Sequence, residues 1–189
     1  MAARIGEGRE RKQALARAAA ATIKPGEFIF LDSGSTNLAL VEFLPEDAEL
    51  MVATNSIDIA SAVLQRQDLR LIIIGGTVNP MVGGCVDASA VLAITQMNID
   101  RLFLGACAVS SKGISAFDMS DAAFKRTLLS VSRESFVLVT TDKLDQRAPH
   151  RIAAIRDIAC FVVERDAPAA QLAPLAKAGA SILKADPPA

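Results

Sequence analysis

Seven short apolar runs punctuate the chain, at residues 28–31, 50–53, 69–74, 102–104, 136–139, 160–163 and, more weakly, 182–183. Each is nearly continuous instead of alternating apolar with polar residues. Strands of that kind are buried on both faces, which is the condition of a parallel sheet covered by helices. The intervening segments supply the covers, because their periodicity predicts helices over 10–23, 36–43, 57–66, 86–97, 119–133 and 169–178. In the fourth of these Val86, Ala90, Val91, Ile94 and Met97 fall on one face. Repeated strand–helix alternation with right-handed crossovers implies a three-layer, Rossmann-like α/β domain on a mostly parallel sheet. At 189 residues, 51% of them hydrophobic, the chain suits one substantial core better than two. Residues 1–9 read as a linker remnant, 10–189 as a single domain ending in the linker-like tail "ADPPA".

Charge and cysteine usage exclude several functions. Twenty Lys and Arg stand against twenty-one Asp and Glu. The only basic cluster is Arg9, Arg11 and Lys12, a poor footprint for nucleic acid. Cys85, Cys107 and Cys160 are odd in number and far apart, and His150 is the only histidine, so a reducing, cytoplasmic setting and no metal site are expected. The stretch "ALARAAAATI" is interrupted by Arg17 and followed by Lys24-Pro25-Gly26, which argues against a signal peptide. No run reaches the ~18 apolar residues of a membrane span. Neither G-x-x-x-x-G-K-[ST] nor G-x-G-x-x-G occurs, so no nucleoside triphosphate, dinucleotide or other cofactor is indicated.

Ligands of open parallel sheets bind at the carboxyl ends of the strands. Polar clusters fall there repeatedly: Asp32-Ser33-Gly34-Ser35-Thr36 after the first run, Thr54-Asn55 after the second, Gly75-Gly76 after the third, Gly105 after the fourth and Thr141-Asp142-Lys143 after the fifth. In the first loop Gly34 permits a tight turn and close approach, while Ser35 and Thr36 offer hydroxyls beside a helix start. That combination suits a phosphate; equally, Ser33 or Ser35 serves only as a helix cap. Asn55 has the donor and acceptor to read a sugar hydroxyl, or else it or Ser56 caps the next helix. Gly75-Gly76 is either a close-approach point or a plain turn.

Asp118, Asp121 and Lys125 share one helical face by their spacings of three and four. They form either a solvated acid–base pair or a site in which Lys125 neutralises a phosphate and an acid holds sugar hydroxyls. In the second case Lys125→Ala weakens binding and leaves the fold intact. Lys143 is a second positive charge for the site or an exposed loop lysine. His150 reads as a loop or helix-start residue, and Phe28, Phe30, Phe103, Phe136 and Phe161 as core.

The segments "ERKQALARAAAATIKPGEFIFLDSGST", "VATNS", "LIIIGG", "VGG", "DRLFLGA", "SDAAFKR" and "VLVTTDK" follow one another in an order that resembles the effector-sensing domain of bacterial transcriptional regulators of the deoxyribose-operon-repressor (DeoR) family, from about Glu10 to Asp166. The resemblance implies a fold shared with sugar-phosphate isomerases and coenzyme A transferases, a phosphorylated sugar or polyol effector, a homo-oligomer and no catalytic residues. Carried over, the ligand contacts fall on Asp32, Ser33, Gly34, Ser35, Thr36, Thr54, Asn55, Gly75, Gly76, Lys125 and Lys143. Asp121 stands where the pattern expects Glu. Family members begin with a winged helix-turn-helix, which nothing before Glu10 resembles, so DNA contact is expected only through a part absent from this chain.

Two other classes stay open. An aldose–ketose isomerase on the same fold needs a carboxylate to move a proton between adjacent carbons. Gly105-Ala106-Cys107-Ala108 offers none after the fourth run, which leaves Asp118 or Asp121. A coenzyme A transferase needs a nucleophilic glutamate on the rim, and Glu42, Glu46 and Glu49 lie past the first loop's helix. A protein-binding scaffold is the third reading.

Overall fold

The computed structural model describes residues 8–186, so the expected linker lies almost wholly outside the described residues, as does the end of the "ADPPA" tail. Helix α1 (Arg9–Ala20) leads into β1 (Phe28–Leu31), α2 (Ser35–Leu40), β2 (Met51–Thr54), α3 (Ile57–Val63) and β3 (Arg70–Ile73). A hairpin of β4 (Val78–Asn79) and β5 (Gly84–Cys85) precedes α4 (Ala88–Ile94) and β6 (Ile99–Leu104). Then come β7 (Ala108–Ser110), β8 (Gly113–Ala116), α5 (Met119–Ser130), β9 (Ser132–Val139), β10 (His150–Ala153), β11 (Cys160–Val163), α6 (Ala169–Lys177) and β12 (Ile182–Lys184).

Seven strands form one parallel sheet in the order β12-β11-β9-β6-β1-β2-β3. Successive residues of its inner strands enter opposite cores. Ile29 and Leu31 pack with Leu15, Ala19, Leu40, Ile59 and Val63 from α1, α2 and α3. Phe30 packs with Ile94, Phe124, Leu128, Leu172 and Leu175 from α4, α5 and α6. Burial on both faces is why these runs lack alternation. From β1 the chain winds outward to β3, then returns through α4 to β6 on the other side of β1. The carboxyl ends of β1 and β6 therefore diverge into opposite windings, and a crevice opens between them.

The three-layer parallel fold agrees with the periodicity, with differences in detail. Helix α5 stops at Ser130 because residues from Ser132 onward pair with β6, beginning Ile99↔Ser132. Apolar spacing around Leu128 and Val131 satisfies either period, and the ladder to β6 wins. The antiparallel sheet β10-β8-β7 is not legible in the sequence, since β7 and β8 are three and four small, buried residues with no exposed face to mark them. His150 sits in β10 opposite Ala116, not in a loop or helix start.

Candidate functional site

The loop after β1 is held from three sides. Asn37 Nδ2 donates to the carbonyls of Asp32 and Phe103, each at 2.9 Å, which ties the ends of β1 and β6 together. Asn55 Oδ1 accepts from the Ser33 N–H at 3.1 Å, and its Nδ2 donates to the Cys85 carbonyl at 3.1 Å. Gly105 N–H donates to Asp32 Oδ2 at 2.8 Å. A Cβ at residue 105 would lie 2.6 Å from the Ser33 carbonyl oxygen, so only glycine lets the β1 and β6 loops approach this closely.

Helix α2 begins after Gly34 with no side-chain cap. Neither serine of the loop is a capping residue, and the loop's polar atoms are otherwise occupied or left open. Among the described residues four buried side-chain atoms lack a hydrogen-bond partner, and three of them, Asp32 Oδ1, Ser33 Oγ and Thr36 Oγ1, belong to this loop. Buried polar groups are nearly always satisfied, so this loop holds hydrogen-bonding capacity that the fold itself does not use.

A cavity of about 510 Å³ opens there. Its wall includes Ser33, Gly34, Ser35 and Thr36 from the β1 loop and Gly105 to Cys107 after β6. Phe117, Asp121 and Lys125 come from the start of α5, Met81 and Val82 from the β4–β5 turn, and Lys143 and Arg147 from the segment after β9. The segment after β9 is fixed from behind. Buried Glu164, following β11, accepts from the Thr141 N–H at 2.7 Å, from the Thr141 hydroxyl, and from the Arg11 guanidinium of α1.

At the cavity floor lies a buried charge cluster. Lys125 Nζ is hydrogen-bonded to Asp121, one helical turn away, and lies 3.4 Å from Asp32 Oδ2. All three side chains are at most 4% exposed. Burial rules out the solvated-pair reading, and Lys125, which reaches the cavity wall, is already paired with two carboxylates. One ammonium between two carboxylates leaves a net charge of −1 when both acids are ionised. Asp32 itself lies behind the wall, where it supports Lys125 and Gly105. Asp118 is not in the cluster; it caps α5 by accepting from the Asp121 N–H at 2.8 Å.

Burial pushes the Asp32 carboxyl up to about 6, against the pull of Lys125 and with the like charge of Asp121 adding to it. Burial draws Lys125 toward neutrality, but Asp32 and Asp121 more than offset this and hold the ammonium above the ordinary lysine range. An acid raised on folding binds its proton more tightly in the folded state. Its contribution to stability is present below 3.8 and is lost as pH rises to about 6. Asp32→Asn removes that titration. The stability difference between wild type and variant should therefore change by on the order of 2 kcal/mol between about pH 7.5 and about pH 4, read from urea unfolding. Parallel pH profiles would contradict the raised carboxyl.

The remaining candidates divide. Lys143 lines the cavity. Thr54 and Asn55 do not line it. The Thr54 hydroxyl donates to the Leu31 carbonyl at 2.6 Å and accepts from the Ser56 N–H, while Ser56 caps α3. Both residues thus act as scaffold for the β1 loop rather than as hydroxyl readers. Gly75 and Gly76 are also outside the cavity wall. Gly76 has a positive φ of 139° and backs onto Asp87, the cap of α4, where a Cβ would come within 2.5 Å of Asp87 Oδ1. Sequence reasoning overlooked Phe117, Met81 and Arg147. They sit in turns of no distinctive composition and join the cavity only through the folding of the β4–β5 hairpin and the β7–β8 sheet.

Among the described residues no group of three or more His, Cys, Asp or Glu is placed to hold a metal ion, and no helix is long and apolar enough to cross a membrane.

Fold and cavity together define an α/β domain with a pocket at the switch point of a parallel sheet. Residues 7–165 match the DeoR C terminal sensor domain, and the chain belongs to that family. It is 26% identical over 173 residues to a putative aga operon transcriptional repressor of Escherichia coli O157:H7, covering 91% of this chain and 64% of the relative. It is 28% identical over 147 residues to the glycerol-3-phosphate regulon repressor of Escherichia coli K12, covering 77% and 58%. This chain thus spans less than two thirds of the length of either regulator. Ribose 5-phosphate isomerase A of Methanocaldococcus jannaschii shares the fold, with a TM-score of 0.53 at 17% identity over 72% of this chain and 55% of the isomerase.

Proposed function

We propose that the cavity binds a phosphorylated sugar or polyol and that this chain is the sensing part of a homo-oligomeric transcriptional repressor. Its occupancy would change how the assembled regulator holds operator DNA. The observation that carries the reading is the pair of unpartnered buried hydroxyls of Ser33 and Thr36 in the β1 loop, set in a wall that also holds Lys125, Lys143 and Arg147. Because the Asp32–Lys125–Asp121 cluster is already net negative, it does not neutralise a phosphate. The cluster instead reads sugar hydroxyls, with Asp121 accepting from them. The phosphate rests on the Ser33, Ser35 and Thr36 hydroxyls with Lys143 and Arg147. The name of the glycerol-3-phosphate regulon repressor supports a phosphorylated effector. Control of DNA binding then requires that effector favour one subunit arrangement over another.

A thermal-shift screen tests this. Sugar and polyol phosphates at about a hundred times Kd should stabilise by about 2.7 kcal/mol, some 5–10 °C for a domain of this size, while dephosphorylated counterparts should not. No shift with any phosphate would refute the reading.

An isomerase is the second reading, favoured by Asp121 in the cavity wall. Against it, Asp121 is bound to Lys125 and the segment after β6 carries no acid. The relatives are named as regulators. Absence of turnover with pentose and hexose phosphates is the expected result.

A further inference from the structure

Of the eight phenylalanines, Phe117 is the one exposed, at 67%, and it lines the cavity together with Met81, exposed at 73%. Neither sits on a loose loop. Phe117 immediately precedes the Asp118 cap of α5, Asn79 Nδ2 reaches Asp118 Oδ2 at 3.3 Å, and the Met81 N–H donates to Asn79 Oδ1 at 3.0 Å. The β4–β5 turn and the start of α5 are thus joined into one apolar rim over a polar floor. Apolar area this large is costly to leave in water, and in a ligand pocket aromatic walls commonly cover the ligand while a few polar groups orient it. A sugar ring fits both halves. Its C–H face is apolar and flat enough to lie on a phenyl ring, and its hydroxyls point around the edge. An open-chain polyol has no such face.

We propose, building on the phosphosugar reading above, that the effector is a ring-closed sugar phosphate stacked on Phe117, with Met81 extending the same apolar rim. Phe117 is then a specificity-determining residue that selects rings over open chains.

Calorimetric titration of the purified chain tests this with 1,5-anhydrohexitol 6-phosphates of gluco, galacto and manno configuration, which cannot open, against the matching hexitol 6-phosphates and inorganic phosphate. At least one ring-locked compound should bind about tenfold or more tighter than its open-chain partner. Phe117→Ala should reduce that ratio to about threefold or less, leave inorganic phosphate unchanged, and be rescued by Phe117→Tyr. Because Phe117 is exposed, the variant folds normally, and Met81→Ala gives a second, smaller loss of the same ratio. Equal affinity for rings and open chains, or an equal loss for both in Phe117→Ala, would overturn the proposal while leaving phosphate sensing intact. If none of these compounds binds but another phosphorylated compound does, only this proposal falls; if no phosphorylated compound binds, the phosphosugar reading falls with it.

Discussion

Lys125→Ala should unfold at a markedly lower urea concentration than the wild type, with a loss of about 3–5 kcal/mol at neutral pH. The side chain sits between Asp32 and Asp121 and all three groups are out of water. Removing the ammonium leaves two like charges buried and uncompensated, which is far costlier than losing a surface pair. Against a typical total stability of about 5–15 kcal/mol, that is enough to put the fold at risk. Burial changes the outcome expected from spacing, under which this variant weakens binding and leaves the fold intact. Replacing the whole cluster separates the two effects. Asp32→Asn, Asp121→Asn and Lys125→Met together remove every charge, so most of the stability should return while effector binding stays impaired. An unchanged unfolding midpoint in Lys125→Ala would show that the cluster is solvated.

Ser33→Ala and Thr36→Val should do the reverse. Their hydroxyls are buried and have no partner in the fold, so removing them relieves a desolvation cost and changes stability by less than about 1 kcal/mol in either direction. Combined, they should weaken effector binding by about 100-fold or more, as expected when two hydrogen bonds to a charged phosphate are lost. Measured side by side, urea unfolding and ligand titration distinguish a binding loop from a structural one. A loss of more than about 2 kcal/mol with binding unchanged would assign these hydroxyls to the fold.

The opposite responses expected at Lys125 and at Ser33 show where sequence patterns stop being informative. Both residues were legible as candidates, one by helical spacing and one by its place after a buried strand. Their roles were not, because a lysine four residues from an aspartate looks the same in water or in a core. Only the approach of Asp32, ninety-three positions earlier in the chain, makes the pair a buried triad. In the same way Thr54 and Asn55 were found as polar residues at a strand end. Their hydrogen bonds to Leu31, Ser33 and Cys85 show that they hold the loop in place. Gly75-Gly76 had the right composition but leads toward Asp87 at the start of α4, outside the cavity wall.

Local chemistry alone determined the parallel sheet, its helical cover and the strand ends that carry polar residues. Continuous apolar runs and a 3.6-residue period are properties of neighbours in the chain, and burial on both faces leaves them little alternative. The tertiary structure decided which of those ends meet, that the floor of the cavity carries net negative charge, and that Phe117 and Met81 form its rim. Those facts depend on distances between residues far apart in sequence, and on the desolvation that follows when they close on one another.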